Sequence, residues 1–89
     1  MASDVTIFTS KYCPYCIRAL HFLRGQKDIK IKEIPVDSGK DVRQEMMRLS
    51  GQRTVPQIWI GEQHVGGCDE LMALNRNGAL KKLLAEQDS

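Results

Sequence analysis

A chain of 89 residues, 42% hydrophobic and 27% charged, is the size of one small domain with one core, spanning residues 1–89. Thirteen basic and eleven acidic residues leave a net charge of +2, and the basic residues are scattered, which argues against nucleic acid as a partner. No apolar run approaches a membrane span, and Met1-Ala2-Ser3-Asp4 leads straight into a strand without a secretory signal, so the expectation is a cytoplasmic protein with no membrane partner. Three cysteines cannot all pair within the chain, and outside an oxidising compartment they point to metal binding or redox chemistry rather than a disulfide scaffold.

In chain order, Val5-Thr6-Ile7-Phe8 reads as a short buried strand. It hands over to Cys13-Pro14-Tyr15-Cys16, where Pro14 suits the first position of a helix. Cys16, Ala19, Leu20 and Leu23 fall on one face of that helix, which should end near Gly25. Cys13 would then lie at the helix start, beside unpaired N–H groups and the positive end of the helix dipole, a place that stabilises a thiolate.

Lys30 to Val36 is expected as a second strand, at a sheet edge because Pro35 cannot donate to a ladder. Strand, helix and strand in that order suggest a parallel βαβ unit. Ser38 with Asp41 three residues later forms a weak capping-box pattern for a second helix, with Val42, Met46 and Leu49 on its buried face and Gly51 as its stop. Gln57 to Ile60 is a third strand, joined through a type II′ turn at Gly61-Glu62 to an antiparallel fourth, Gln63 to Val65. Gly66-Gly67 breaks that strand, and Asp69 and Glu70 open a third helix with Leu71, Met72 and Leu74 facing inward, ended by Asn77-Gly78. Leu80, Leu83 and Leu84 mark a final helix, with 87–89 frayed. The expected fold is α/β, a four-stranded mixed sheet with helices on both faces.

Three motifs stand out together: Cys13-Pro14-Tyr15-Cys16, Thr54-Val55-Pro56 and Gly66-Gly67-Cys68-Asp69. In this order and spacing they resemble the dithiol glutaredoxins of the thioredoxin fold, over nearly the whole chain. The resemblance implies a glutathione-dependent thiol–disulfide oxidoreductase, with no tightly bound cofactor and glutathione as reducing co-substrate. It also implies a cis peptide bond before Pro56. Partners would be glutathione and oxidised or glutathionylated proteins, and the small size suggests a monomer.

Under that resemblance Cys13 is the nucleophile, supported by the helix start and by Lys11, and Cys16 is the resolving thiol. Thr54, Val55 and Pro56 form a docking edge, where Val55 offers its N–H and C=O to an extended peptide. Gly67, Cys68 and Asp69 hold the γ-glutamyl end, the two N–H groups at the carboxylate and the Asp69 side chain at the ammonium. Asp69 can also serve as a helix cap, and Cys68 reads as a semi-exposed third thiol. Lys11, Gln52 and Arg53 are candidates for the glycine carboxylate, with Tyr15 beside the groove and Gln57 on the strand surface. Many relatives carry lysine three residues before the first cysteine, whereas this chain has Ser10 there and Lys11 one position later.

Two binding modules are the alternatives from another class. One is a zinc site drawn from Cys13, Cys16, Cys68 and His64, against which His64 reads more simply as a surface strand residue. The other, known among relatives, is a dimer holding an iron–sulfur cluster through Cys13 and glutathione, against which Pro14 stiffens the loop. Thioredoxin proper is the nearest redox rival, and Gly66-Gly67-Cys68-Asp69 favours glutathione as the reductant.

Overall fold

The computed structural model describes residues 3–88, and side chains through Glu86. Met1, Ala2 and Ser89 lie outside the described residues, and with them part of the expectations for the two chain ends. The elements are β1 (Ser3–Thr9), α1 (Pro14–Arg24), β2 (Ile29–Pro35), a 3₁₀ turn (Val36–Ser38), α2 (Lys40–Ser50), β3 (Gln57–Ile60), β4 (Gln63–Gly66), α3 (Cys68–Arg76) and α4 (Ala79–Asp88). The strands form one mixed sheet in the order β2-β1-β3-β4. β1 pairs in parallel with β2 and antiparallel with β3, and β3 pairs antiparallel with β4. This is the expected thioredoxin-type arrangement, with Pro35 on an edge strand.

Strand alternation divides the core into two layers. Val5 and Ile7 of β1 and Ile58 and Ile60 of β3 face Ala19, Leu20 and Leu23 of α1, together with Leu71 of α3 and Leu80 of α4. Phe8 points the other way, where Val36 and Met46 bury against it and Val42, Val55 and Trp59 pack around them. Helices thus cover both faces, α1, α3 and α4 on one and α2 on the other. The double coverage anchors the first turn of α1 and the segment before β3 to one rigid sheet.

Several local expectations are corrected. Ser38 does not cap α2: its hydroxyl donates to the Pro35 carbonyl at 2.7 Å inside the 3₁₀ turn, and Gly39 stands at the cap position. The strand expected to run through Val36 ends at Pro35, because that turn begins there. Leu49 is 48% exposed, since α2 presents its Met46 stripe to the sheet and turns Leu49 to the rim. α3 opens at Cys68 with Gly67 as its cap, so Asp69 sits in the first turn and is not the capping residue. α4 continues through Asp88, past the point where fraying was expected. The turn between β3 and β4 has φ of 60° at Gly61 and no positive φ at Glu62, as a type II′ turn requires.

Candidate active site

Cys13 is the cap residue of α1. Its backbone is extended, Pro14 follows at the first helical position, and its sulfur accepts the Cys16 N–H at 3.2 Å. That N–H is one of the donors a helix start leaves without an intrahelical partner. The Cys13 thiol donates to the Val55 carbonyl oxygen at 3.6 Å, so the nucleophile is already tied to the proposed docking edge. Cys13 is partly exposed, whereas Cys16, one turn into α1, is 1% exposed. Burial, with the neighbouring Cys13 sulfur, pushes the Cys16 thiol up to about 12, and the Ser10 backbone N–H works against that rise. The pair therefore contains one sulfur that substrate can reach and one held as a thiol.

Beside Cys13 runs an open groove of about 290 Å³. Tyr15 flanks it from α1; Gln52, Thr54, Val55 and Pro56 line it from the segment before β3; Gly67, Cys68 and Asp69 close it from the start of α3. The Val55–Pro56 peptide bond is cis. The two sides approach closely: a side chain at Gly67 would come within 3.3 Å of the Pro56 carbonyl oxygen. Eight of the residues assigned to glutathione from sequence thus gather in one groove.

Lys11 does not join them. It lines a separate cavity on the other side of α1, with its backbone N–H donating to Asp37 Oδ2 at 2.7 Å. Arg53 is exposed, and its carbonyl accepts from the Arg43 guanidinium at 3.3 Å. Cys68 is 4% exposed rather than semi-exposed, because α3 starts at Cys68 and turns the thiol into the core beside Leu71. Burial pushes its thiol up, offset in part by the Arg18 guanidinium.

Gln57 is the residue that sequence reasoning undervalued. It is not strand surface but fully buried, and its amide N–H₂ donates to Gln52 Oε1 at 3.1 Å and to the Thr54 carbonyl at 3.0 Å. Its Oε1 lies 2.7 Å from Nε2 of His64, and the His64 ring leans on Trp59 with centroids 4.7 Å apart. His64 is therefore a half-buried partner of Gln57 rather than a surface residue or a member of a zinc set. Among the described residues no three His, Cys, Asp or Glu side chains gather as metal ligands. The signal was available in the alternation: with Ile58 and Ile60 on one face, Gln57 and Trp59 must share the other.

A family model for glutaredoxins matches residues 5–65. The chain belongs to the glutaredoxin family. It is 52% identical over 81 residues to a glutaredoxin of Pseudomonas aeruginosa, covering 91% of this chain and 95% of that one. It is 46% identical over 82 residues to glutaredoxin 3 of Escherichia coli, covering 92% and 98%. The structure superimposes on a buckwheat glutaredoxin–glutathione complex with a TM-score of 0.81 at 34% identity, covering 97% of this chain and 80% of that one. With a glutaredoxin from Brucella melitensis the TM-score is 0.79 at 46% identity, over 93% and 89%. This glutaredoxin is a glutathione-dependent thiol–disulfide oxidoreductase, and Cys13 and Cys16 are its dithiol. No helix among its described residues is long and apolar enough to cross a membrane.

Proposed function

We propose that this glutaredoxin reduces both protein disulfides and protein–glutathione mixed disulfides, acting as a monomer and a single domain in the cytoplasm, where glutathione keeps thiols reduced. Cys13 attacks the substrate sulfur and becomes joined to it in a mixed disulfide. For a protein disulfide, Cys16 then attacks Cys13, releases the substrate thiol and leaves Cys13–Cys16 oxidised. For a glutathionylated protein, Cys13 takes the glutathionyl group and a second glutathione removes it. Glutathione lies along the groove as an added strand at Val55, with its γ-glutamyl carboxylate at the N–H groups of Cys68 and Asp69 and its ammonium at the Asp69 side chain. Gln52 and Tyr15 meet the remaining peptide, while Thr54, Pro56 and Gly67 shape the walls.

The observation that carries this reading is the Cys13 sulfur tied to the Val55 carbonyl, at the head of a groove that ends on a helix start. The glutathione bound in the buckwheat relative supports it by analogy. The test is turnover of a protein disulfide with either reduced glutathione or a thioredoxin reductase system as electron donor. Sustained turnover with glutathione alone is expected; turnover only with the reductase would overturn the reading.

A further inference from the structure

Cys16 must lose its proton to attack Cys13, yet it is 1% exposed, and burial disfavours a thiolate. On the side of α1 away from the glutathione groove, Cys16 lines a cavity of about 520 Å³, and Glu33 stands on the wall of the same cavity. Glu33 occupies β2 opposite Ile7, and Ile29 and Ile31 on the same face of that strand pack against the α1 layer. Its Oε2 accepts the Thr9 hydroxyl at 3.3 Å, and its Oε1 lies 3.6 Å from Nη2 of Arg24. Thr9 immediately precedes Ser10, whose N–H faces the Cys16 sulfur. Two partners thus fix the carboxylate at the cavity, while its side chain stays 40% exposed to bulk water.

The cavity holds one other carboxylate, Asp37, but its Oδ2 is committed to the Lys11 N–H at 2.7 Å and the Ser10 hydroxyl at 3.2 Å. Asp37 fastens the loop before α1. Of the two, Glu33 is the carboxylate whose charge acts on the Cys16 thiol. We propose that Glu33 accepts the Cys16 proton, through water in the cavity they share, during the resolving step of protein-disulfide reduction.

With substrate R–S joined to Cys13, Glu33 takes the Cys16 proton, and the Cys16 sulfur forms its bond to Cys13 Sγ as the bond from Cys13 to R–S breaks. The electron pair leaves on R–S, which is protonated by solvent. Cys13 and Cys16 end oxidised to a disulfide, the substrate half ends reduced to a thiol, and Glu33 returns its proton to bulk water. In the mixed disulfide Cys13 carries neither proton nor charge, so burial is what the carboxylate works against. The other charged groups around the pair are Arg24 against Glu33, and Lys11 and Asp37 on the cavity wall.

This inference rests on the two-route reading above, and the routes separate the two. The probe is a glutathionylated peptide mixed rapidly with reduced protein, with acid quench and mass spectrometry following the Cys13–glutathione adduct as it closes to Cys13–Cys16. Glu33→Gln keeps the shape and a hydrogen-bond acceptor for Thr9. It is expected to slow closure about tenfold near neutral pH, a conservative share of what a general base supplies. The gap should narrow as pH rises and hydroxide takes over. In a Cys16→Ser background, where no proton need leave that position, Glu33→Gln should add no further change to Cys13 deglutathionylation. Closure at the unaltered rate and pH profile, or equal slowing in both backgrounds, would overturn the proposal. Failure of the Cys16→Ser protein to take up glutathione at all would overturn the functional reading beneath it, and that failure shows at the first step.

Discussion

The Cys13 sulfur lies 3.6 Å from the Val55 carbonyl oxygen, so the start of α1 and the segment before β3 are joined through the nucleophile itself. A thiol donates in that contact; a thiolate or a mixed disulfide cannot. Attack on substrate therefore frees the Val55 carbonyl for the strand pairing proposed above. The expectation is a split between variants. Cys13→Ser should lose both activities to background. Cys16→Ser should keep turnover on a glutathionylated peptide and lose reduction of a protein disulfide. Steady-state assays on the two substrates, with glutathione as donor, check this, and a Cys13→Ser protein active on either would reverse the assignment of roles.

Burial raises the Cys16 thiol from an ordinary 9.0 to about 12, which has a consequence for stability. Between those values the native state keeps a proton that the unfolded chain has lost. Its contribution is thus whole below about pH 9 and is lost as pH rises toward 12. Cys68, also raised, acts in the same direction. The reduced protein should therefore show Tm falling above pH 9, and Cys16→Ala should fall less steeply, having no thiol to ionise there. Thermal melts from pH 7 to 11 on both proteins measure the difference in slope. Equal slopes would mean that Cys16 does not hold its proton in the fold.

Gln57 ties the groove wall together through Gln52, Thr54 and His64. Gln57→Leu keeps the volume but leaves these partners without their amide. Orphaning buried polar groups costs about 1–3 kcal/mol, or roughly 5–20 °C in Tm for a domain of this size. The loosened wall should also raise KM for a glutathionylated substrate several-fold with kcat little changed, because Gln57 shapes binding and touches neither sulfur. Melts and steady-state kinetics read the two effects. An unchanged KM would confine Gln57 to a structural role.

The element order and the redox pair were legible because they rest on local signals. Apolar alternation marks the strands, Pro14 marks the helix start, and two cysteines three apart bracket its first turn. What escaped depends on long-range facing. Lys11 and Gln52 are both polar loop residues near a motif, yet α1 stands between them, and they line different cavities. Gln57 looked like solvated strand surface until the α2 layer closed over its face. Leu49 has helical spacing with Met46 and Val42, but α2 covers only part of the sheet, and its far edge stays in water. Cys68 was expected half out because the helix was started one residue late, which turns the thiol to the wrong side.

Two glycines near helix starts should respond in opposite ways. Gly66 ends β4 with φ of 116°, and a Cβ there would lie 3.1 Å from Cγ and 3.2 Å from Cβ of Glu70. Alanine is strained in that backbone region, at a cost of order 1–3 kcal/mol, and Glu70 must also shift. Gly39 caps α2 with φ of 168°, extended backbone that any residue adopts, and a Cβ there meets nothing within 4 Å. Serine at that position can accept an N–H of the first turn of α2, for a gain of a few tenths of a kcal/mol. Gly66→Ala should therefore lower Tm by roughly 5–20 °C, while Gly39→Ser holds or slightly raises it. Gly66→Ala should also weaken glutathione binding, since the residue leads into the Gly67-Cys68-Asp69 turn, and Gly39→Ser should leave binding alone. Melts and calorimetric titration of glutathione into each variant test the contrast; a Gly66→Ala protein as stable and as tightly binding as its parent would show that the turn tolerates a side chain.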